Sequence, residues 1–181
     1  GAPEEITYEN KPHIGTDVLS QVIGNMRKDL IAKGAEFHFE SCVKDLVIEN
    51  GRIAAVVTEE ETYPASAVIL ALGHSARDTF EMLDAKKEIP MEVKNFAVGF
   101  RVEHPQTMID TIMYGDYKGA KLPASPYKVT SNFPNGRGVY SFCMCPGGYV
   151  VNASSEEGRS CVNGMSYSGR NGANANSAII V

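Results

Sequence analysis

The stretch Phe142-Cys143-Met144-Cys145-Pro146-Gly147-Gly148-Tyr149-Val150-Val151 sets two thiols two residues apart, just ahead of a Pro-Gly-Gly sequence. Read as a strand, it turns both thiols to one face, and the glycines after them form a turn where a backbone can approach a flat ligand closely. Paired thiols suggest metal or redox chemistry. A structural zinc site wants four converging ligands, however, and no histidine cluster stands near this pair. A disulfide is disfavoured as well, because side chains two apart on an extended strand cannot bond without distortion. The plainer reading is of small buried thiols packed beside a ligand.

A second chemical stretch runs from Val162 to Ser177 and collects Gly, Asn and Ser around a single fixed cation, Arg170. Such an amide-rich segment looks unsuited to a core. Asn and Gly accept left-handed backbone geometry, so the segment reads either as a solvent loop or as a polar lining. Arg170 suits a carboxylate or a phosphate. A third stretch, Ala67-Val68-Ile69-Leu70-Ala71-Leu72-Gly73, is apolar at every position before Gly73 and is followed by His74, Ser75, Ala76, Arg77 and Asp78. A strand covered on both faces has that composition, and its exit through Gly into a polar helix start can turn backbone N–H groups toward an anion. An ordinary capped strand-to-helix turn has the same look. His13 and His104 stand beside Pro12 and Pro105 at element ends, where capping or surface roles are expected.

These stretches need elements to carry them. Val18, Val22, Met26 and Leu30 recur at helical spacing over Asp17 to Lys33, with Thr16 or Asp17 as cap and Gly34 as stop. Glu36 to Glu40 alternates at period two. Cys42 to Glu49 and the β-branched run Ile53 to Thr58 flank Asn50-Gly51, the signature of a tight hairpin. Further along, Ser75 to Lys87 reads as a helix, Phe96 to Glu103 as a strand and Pro105 to Met113 as a short helix. A Gly-, Lys- and Pro-containing excursion to Tyr127 follows. Strands are expected at Lys128 to Asn132, Gly138 to Met144 and Gly148 to Ala153, and the apolar ending Ser177 to Val181 suggests an element cut short.

The bulk numbers limit the functions available. The 181 residues carry 17 basic and 22 acidic side chains, for a net charge of −5, so no global field draws nucleic acid or an anionic membrane. A small-molecule partner is the better expectation. Hydrophobic residues make up 43% of the chain, the longest apolar run is far too short to span a bilayer, and the start has no signal-peptide order. The four cysteines are too sparse for a disulfide scaffold, and the expected location is the reducing cytoplasm.

Four motifs in order, Lys11-Pro12-His13-Ile14-Gly15-Thr16-Asp17, Ile69 to Thr79, Cys143-Met144-Cys145-Pro146-Gly147-Gly148 and Asn163-Gly164-Met165-Ser166, resemble the uncharacterised FAD-dependent dehydrogenases, flavoproteins built like glutathione reductase. The resemblance implies FAD as cofactor and an α/β, or α+β, architecture. In it, a β-rich substrate domain (89–160) is inserted in part of a three-layer FAD-binding domain (1–88), and residues 161–181 return to the flavin. It further implies cofactor contacts at Val43, Ala71, Leu72 and Gly73 through backbone, and at Asn163, Ser166 and Arg170 through side chains. Cys143, Cys145, Gly147 and Gly148 would face the substrate or the ring. No G-x-G-x-x-G follows a strand in these residues, although that motif normally seats the pyrophosphate. The expectation is therefore an interior piece of an FAD-dependent oxidoreductase, inactive and weak in FAD binding by itself, whose partners are a small substrate and the flanking segments of its own chain. The rival reading is a non-catalytic ligand- or partner-binding module.

Overall fold

The computed structural model describes residues 1–116, 119 and 121–181. It is a mixed α+β, β-rich architecture that divides into two compact units, Gly1–Gly34 with Phe96–Val181, and Ala35–Asn95. Each is built around its own antiparallel sheet.

The smaller unit is a hairpin with a helix. β1 (Val43–Glu49) and β2 (Arg52–Thr58) pair antiparallel, and Asn50 and Gly51 take φ of 51° and 74° between them. Two successive positive φ values make the type I′ turn whose twist matches the flanking strands, as the Asn-Gly pair led us to expect. β3 (Thr62–Pro64) adds a short third strand, and a helix follows at Arg77–Asp84. Leu46 of β1, Ala55 of β2 and Leu83 of that helix are its buried apolar side chains. Lys86 pairs with Asp45 and Lys44 with Glu59, each at 2.7 Å, on the outside of the unit.

Two expectations fail in this unit. Glu36 to Glu40 joins no strand; Phe37 and Phe39 instead stack at 6.3 Å between ring centroids. Ala67 to Leu72 is not a buried strand either. No ladder includes it, and Ile69 is 93% exposed. An apolar run becomes a covered strand only when neighbouring strands satisfy its N–H and C=O groups, and none of the described strands does so here.

The larger unit begins with a short 3-10 turn (Glu4–Thr7) and a helix at Thr16–Ala32, within a residue of its expected bounds, with Gly34 at φ 92° just past its end. None of its 17 residues is buried, and its apolar stripe of Leu19, Ile23, Met26, Leu30 and Ile31 faces outward. The sheet has the order β4 (Gly99–Pro105), β8 (Asn174–Ile180), β6 (Gly138–Asn152), β5 (Thr130–Asn132), and β7 (Val162–Met165) pairs with the second half of β6. A helix at Gln106–Tyr114 follows β4 and buries Gln106 and Ile109. The expected excursion to Tyr127 includes residues 117, 118 and 120, which lie outside the described residues.

Two findings here overturn the sequence reading. The Pro-Gly-Gly turn does not separate two strands, because β6 runs unbroken through it. Between Phe142 and Cys145, and again between Cys145 and Gly148, β6 advances three residues while β8 advances two. Each is a bulge, where a strand absorbs an extra residue, and a bulge is where a sheet tolerates Pro146. The second finding concerns the amide-rich tail. Its last four residues open β8, the strand between β4 and β6, where Ala175, Asn176 and Ser177 are each 0% exposed, whereas Tyr167, Ser168, Gly169 and Asn171 before them lie exposed in a loop.

Candidate functional site

The first turn of the Thr16–Ala32 helix is tied to the segment after β7. Thr16 donates to the Ser166 carbonyl twice, from its backbone N–H at 3.2 Å and from Oγ1 at 3.1 Å. Asp17 accepts from Ser168 twice, from the N–H at 2.8 Å and from Oγ at 2.6 Å. Those two bonds, the side-chain one foremost, hold the Asp17 carboxyl below its ordinary range. His13 Nε2 lies 3.1 Å from the Tyr167 carbonyl, which can only accept, so Nε2 donates this bond.

These contacts close one side of a cavity of about 470 Å³. Pro12, His13 and Thr16 stand on the helix side. Opposite them are Cys143, Cys145 and Pro146 of β6, and Gly164, Ser166 and Arg170 complete the wall. The size falls in the range of small-molecule sites, about 300–1,000 Å³.

The β6 wall is shaped by its bulges. Cys143 takes φ 46° inside the first one, Phe142 and Cys145 oppose Ala178 and Asn176 on β8, and both thiol residues line the cavity. Cys145 Sγ lies 3.4 Å from the Cys143 carbonyl, and all four cysteines are unbonded. Burial pushes the Cys145 thiol up, and the nearby Arg101 guanidinium only partly opposes this, so the thiol is protonated at neutral pH. Among the described residues, no group of three His, Cys, Asp or Glu side chains is placed to hold a metal ion.

Below the cavity, Gly147 is clamped from both sides. Its N–H donates to Gln106 Oε1 at 2.7 Å and its carbonyl accepts from the Gly172 N–H at 3.0 Å. Gln106 is itself fixed, since its Nε2 donates to Asp110 Oδ1 at 2.7 Å and to the Ser125 carbonyl at 3.1 Å. A Cβ at Gly147 would collide with the Arg170 carbonyl, so only glycine permits this approach. Ser166, buried, donates from Oγ to the Pro146 carbonyl at 3.0 Å, and a Cβ at Gly148 would crowd that hydroxyl.

Arg101 of β4 lies behind the floor. Its Nη1 donates to Asn176 Oδ1 at 2.7 Å and to the Cys143 carbonyl at 3.1 Å, and its Nη2 reaches Asn163 Oδ1 at 3.4 Å. β7 passes so close to this group that a Cβ at Gly164 would collide with both Arg101 and Asn176 Oδ1. Three donors in the region are buried without a partner: Arg101 Nε, Arg170 Nε and Asn176 Nδ2. Arg170 is also held at φ 44°, a conformation a non-glycine residue rarely keeps outside a constrained site.

Of the residues singled out from sequence, Cys143, Cys145, Ser166 and Arg170 meet at the cavity, Gly147 and Gly148 lie in the strand beneath it, and Asn163 touches Arg101. Val43, Ala71, Leu72 and Gly73 belong to the smaller unit, where Val43 opens β1 and the other three lie in the unpaired stretch. Sequence reasoning put His13 in a capping or surface role, yet it lines the cavity; its place in the Lys11 to Asp17 motif was the available signal. His104 instead bonds Tyr127 Oη at 2.7 Å. Arg101, Asn176 and Gln106 were missed, for nothing in their local pattern sets them apart from ordinary strand and helix residues.

A protein of Clostridium beijerinckii, described as an uncharacterized protein, is 46% identical over 183 residues, an alignment that covers 100% of this chain and 34% of the relative. The chain thus spans about a third of the length of the curated relative it matches. Residues 95–181 match the family model described as FAD-dependent protein, C-terminal domain-like. This segment contains β4 to β8 and with them most of the cavity wall, and in it the chain is similar to a domain of FAD-dependent proteins.

Proposed function

We propose that these residues form the substrate-side wall, and part of the flavin-facing wall, of a longer FAD-dependent oxidoreductase. The observation that carries the reading is the convergence of three sequence-distant motifs, Lys11 to Asp17, Cys143 to Gly148 and Asn163 to Ser166, on one cavity. The match of residues 95–181 to a domain of FAD-dependent proteins supports it.

The residues fit one edge of a flavin rather than a whole FAD seat. Gly147 and Gly148 set β6 directly against the Arg170 carbonyl and the Ser166 hydroxyl, which fixes the wall that a flat ligand would lie on. A glycine-rich loop opening a helix, the usual seat of the pyrophosphate, does not occur in these 181 residues. In our reading, the rest of a glutathione-reductase-like FAD domain supplies it. The exposed run Ala67 to Leu72 and the uncovered stripe of the Thr16–Ala32 helix are the surfaces such a domain would cover. Ala71, Leu72, Gly73 and Val43 would then approach the cofactor through their backbone.

FAD supplies a two-electron acceptor when bound; the residues here orient the substrate against it and exclude water. His13, its ring fixed by the bond from Nε2 to the Tyr167 carbonyl, is the imidazole that lines this wall. Cys145, kept as a neutral thiol, contributes shape and a weak donor rather than a nucleophile. The unbonded cysteines suit the reducing cytoplasm in which we place the protein.

The test is an FAD titration followed by flavin fluorescence, run on the 181-residue chain and on the complete protein in parallel. Binding by the complete protein alone is the expected result. No binding by either would remove the flavin and leave a non-catalytic ligand-binding module as the reading of the cavity.

A further inference from the structure

We infer that the cavity recognises a small organic carboxylate, with Arg170 as its direct partner and Arg101 as the charge behind the floor. The inference rests on the reading above only in calling that carboxylate the substrate. It stands on the charge balance of the site. No Asp or Glu lines the cavity, and among the described residues no acid is ion-paired with either arginine. Asp17, in the first turn of the helix that borders the cavity, has both carboxylate oxygens engaged by Ser168.

An arginine stays charged at any ordinary pH, so both cations stand without a protein counter-ion in partly buried positions. The Cys145 thiol, which Arg101 faces, is kept neutral by burial. Arg101 satisfies part of its guanidinium on three oxygens, whereas no hydrogen bond from the Arg170 guanidinium is found among the described residues. Asn176, 0% exposed, spends its oxygen on Arg101 and leaves its Nδ2 donor unmet. The unmet atoms Arg101 Nε, Arg170 Nε and Asn176 Nδ2 are themselves enclosed, so the contact open to a ligand is the remainder of the Arg170 guanidinium, which lines the cavity with no acceptor on it among the described residues.

The remaining walls choose among acceptors. Ile14, Leu19, Met144, Pro146 and Met165 give the cavity an apolar lining, and among the described residues Arg170 is its one fixed cation. Phosphate, carrying up to two charges and three strong acceptor oxygens, asks for more donors than this wall presents. A carboxylate on an apolar body matches one forked guanidinium and greasy walls.

The experiment is isothermal titration calorimetry on the complete protein with benzoate, benzamide and inorganic phosphate at constant ionic strength. Benzoate should bind saturably, benzamide should not, and phosphate should bind more weakly than benzoate. Arg170→Gln should weaken benzoate by about tenfold or more, as befits the loss of one charge-assisted bidentate contact, while Arg170→Lys should keep part of the affinity. Each variant's thermal midpoint is measured first, and Arg170→Lys retains the charge if the glutamine variant does not fold. Equal binding of benzoate and benzamide, phosphate tighter than benzoate, or full benzoate affinity in a folded Arg170→Gln would each overturn the inference. Released-flavin absorbance of the same sample judges the cofactor separately. A protein without flavin that still binds benzoate would sink the oxidoreductase reading and leave the carboxylate site standing.

Discussion

The most continuously apolar stretch of the chain, Ala67 to Leu72, lies unpaired with Ile69 93% exposed, while the amide-rich Asn174-Ala175-Asn176-Ser177 forms the strand between two others with three residues at 0% exposure. The contrast teaches that composition sets only a tendency. Burial needs partners for the backbone first, and β8 has β4 on one side and β6 on the other. Once inside, its polar side chains are tolerated because most find mates: Asn176 Oδ1 takes the Arg101 guanidinium and Ser177 Oγ donates to the Phe142 carbonyl at 3.2 Å.

The sharpest way to break this comparison is Asn176→Leu. If the buried amide is there to meet Arg101, the leucine variant loses about 3 kcal/mol of stability in urea denaturation, because a partly buried guanidinium is left without its shortest acceptor. A loss below about 1 kcal/mol would show that the polar strand is dispensable polarity in an apolar slot. Ile69→Ser probes the other region. In the 181-residue chain its melting should be unchanged within about 0.5 kcal/mol, and in the complete protein it should cost about 2 kcal/mol if a neighbouring strand covers it there. Equal effects in both proteins would contradict the docking surface proposed for Ala67 to Leu72.

Smaller effects sharpen the site. Ser166→Ala removes a buried donor from the Pro146 carbonyl and should cost about 1–2 kcal/mol, read from the same denaturation curves, with the bulge at Pro146-Gly147 the first part to lose hydrogen-exchange protection. The smallest effect is that of Asp17. Its carboxyl sits below its ordinary value of 3.8 in the folded chain, so what it lends is present above that pH and fades as pH falls through the lowered value. The protection factor of the Ser168 amide, measured against its intrinsic exchange rate at each pH, should therefore fall on acidification in the native chain, and in Asp17→Asn it should be low already at neutral pH with no such transition.

The helix at Thr16–Ala32 and the hairpin across Asn50-Gly51 were legible because their signals are local. Helical spacing with a glycine stop, and two residues that accept positive φ, need no knowledge of the rest of the molecule. The bulges in β6 were not legible, since a strand interrupted by Pro-Gly-Gly reads as two strands and a turn until β8 is seen to run past the interruption.

The cavity divides along that line. Cys145, Ser166 and Arg170 were marked by their types and their company in sequence, and Gly147 by its need for close approach. His13 and Tyr167 are 154 positions apart and meet through one hydrogen bond, and no spacing rule reaches that far. What the amino-acid sequence determined by itself was therefore the elements whose hydrogen bonds close within a few residues, together with the small and polar residue types gathered in the late motifs. Only the tertiary structure decided which apolar stretch stays uncovered, which amide is buried and which arginines lack an anion, because burial and charge balance depend on neighbours that the chain brings from far along its length.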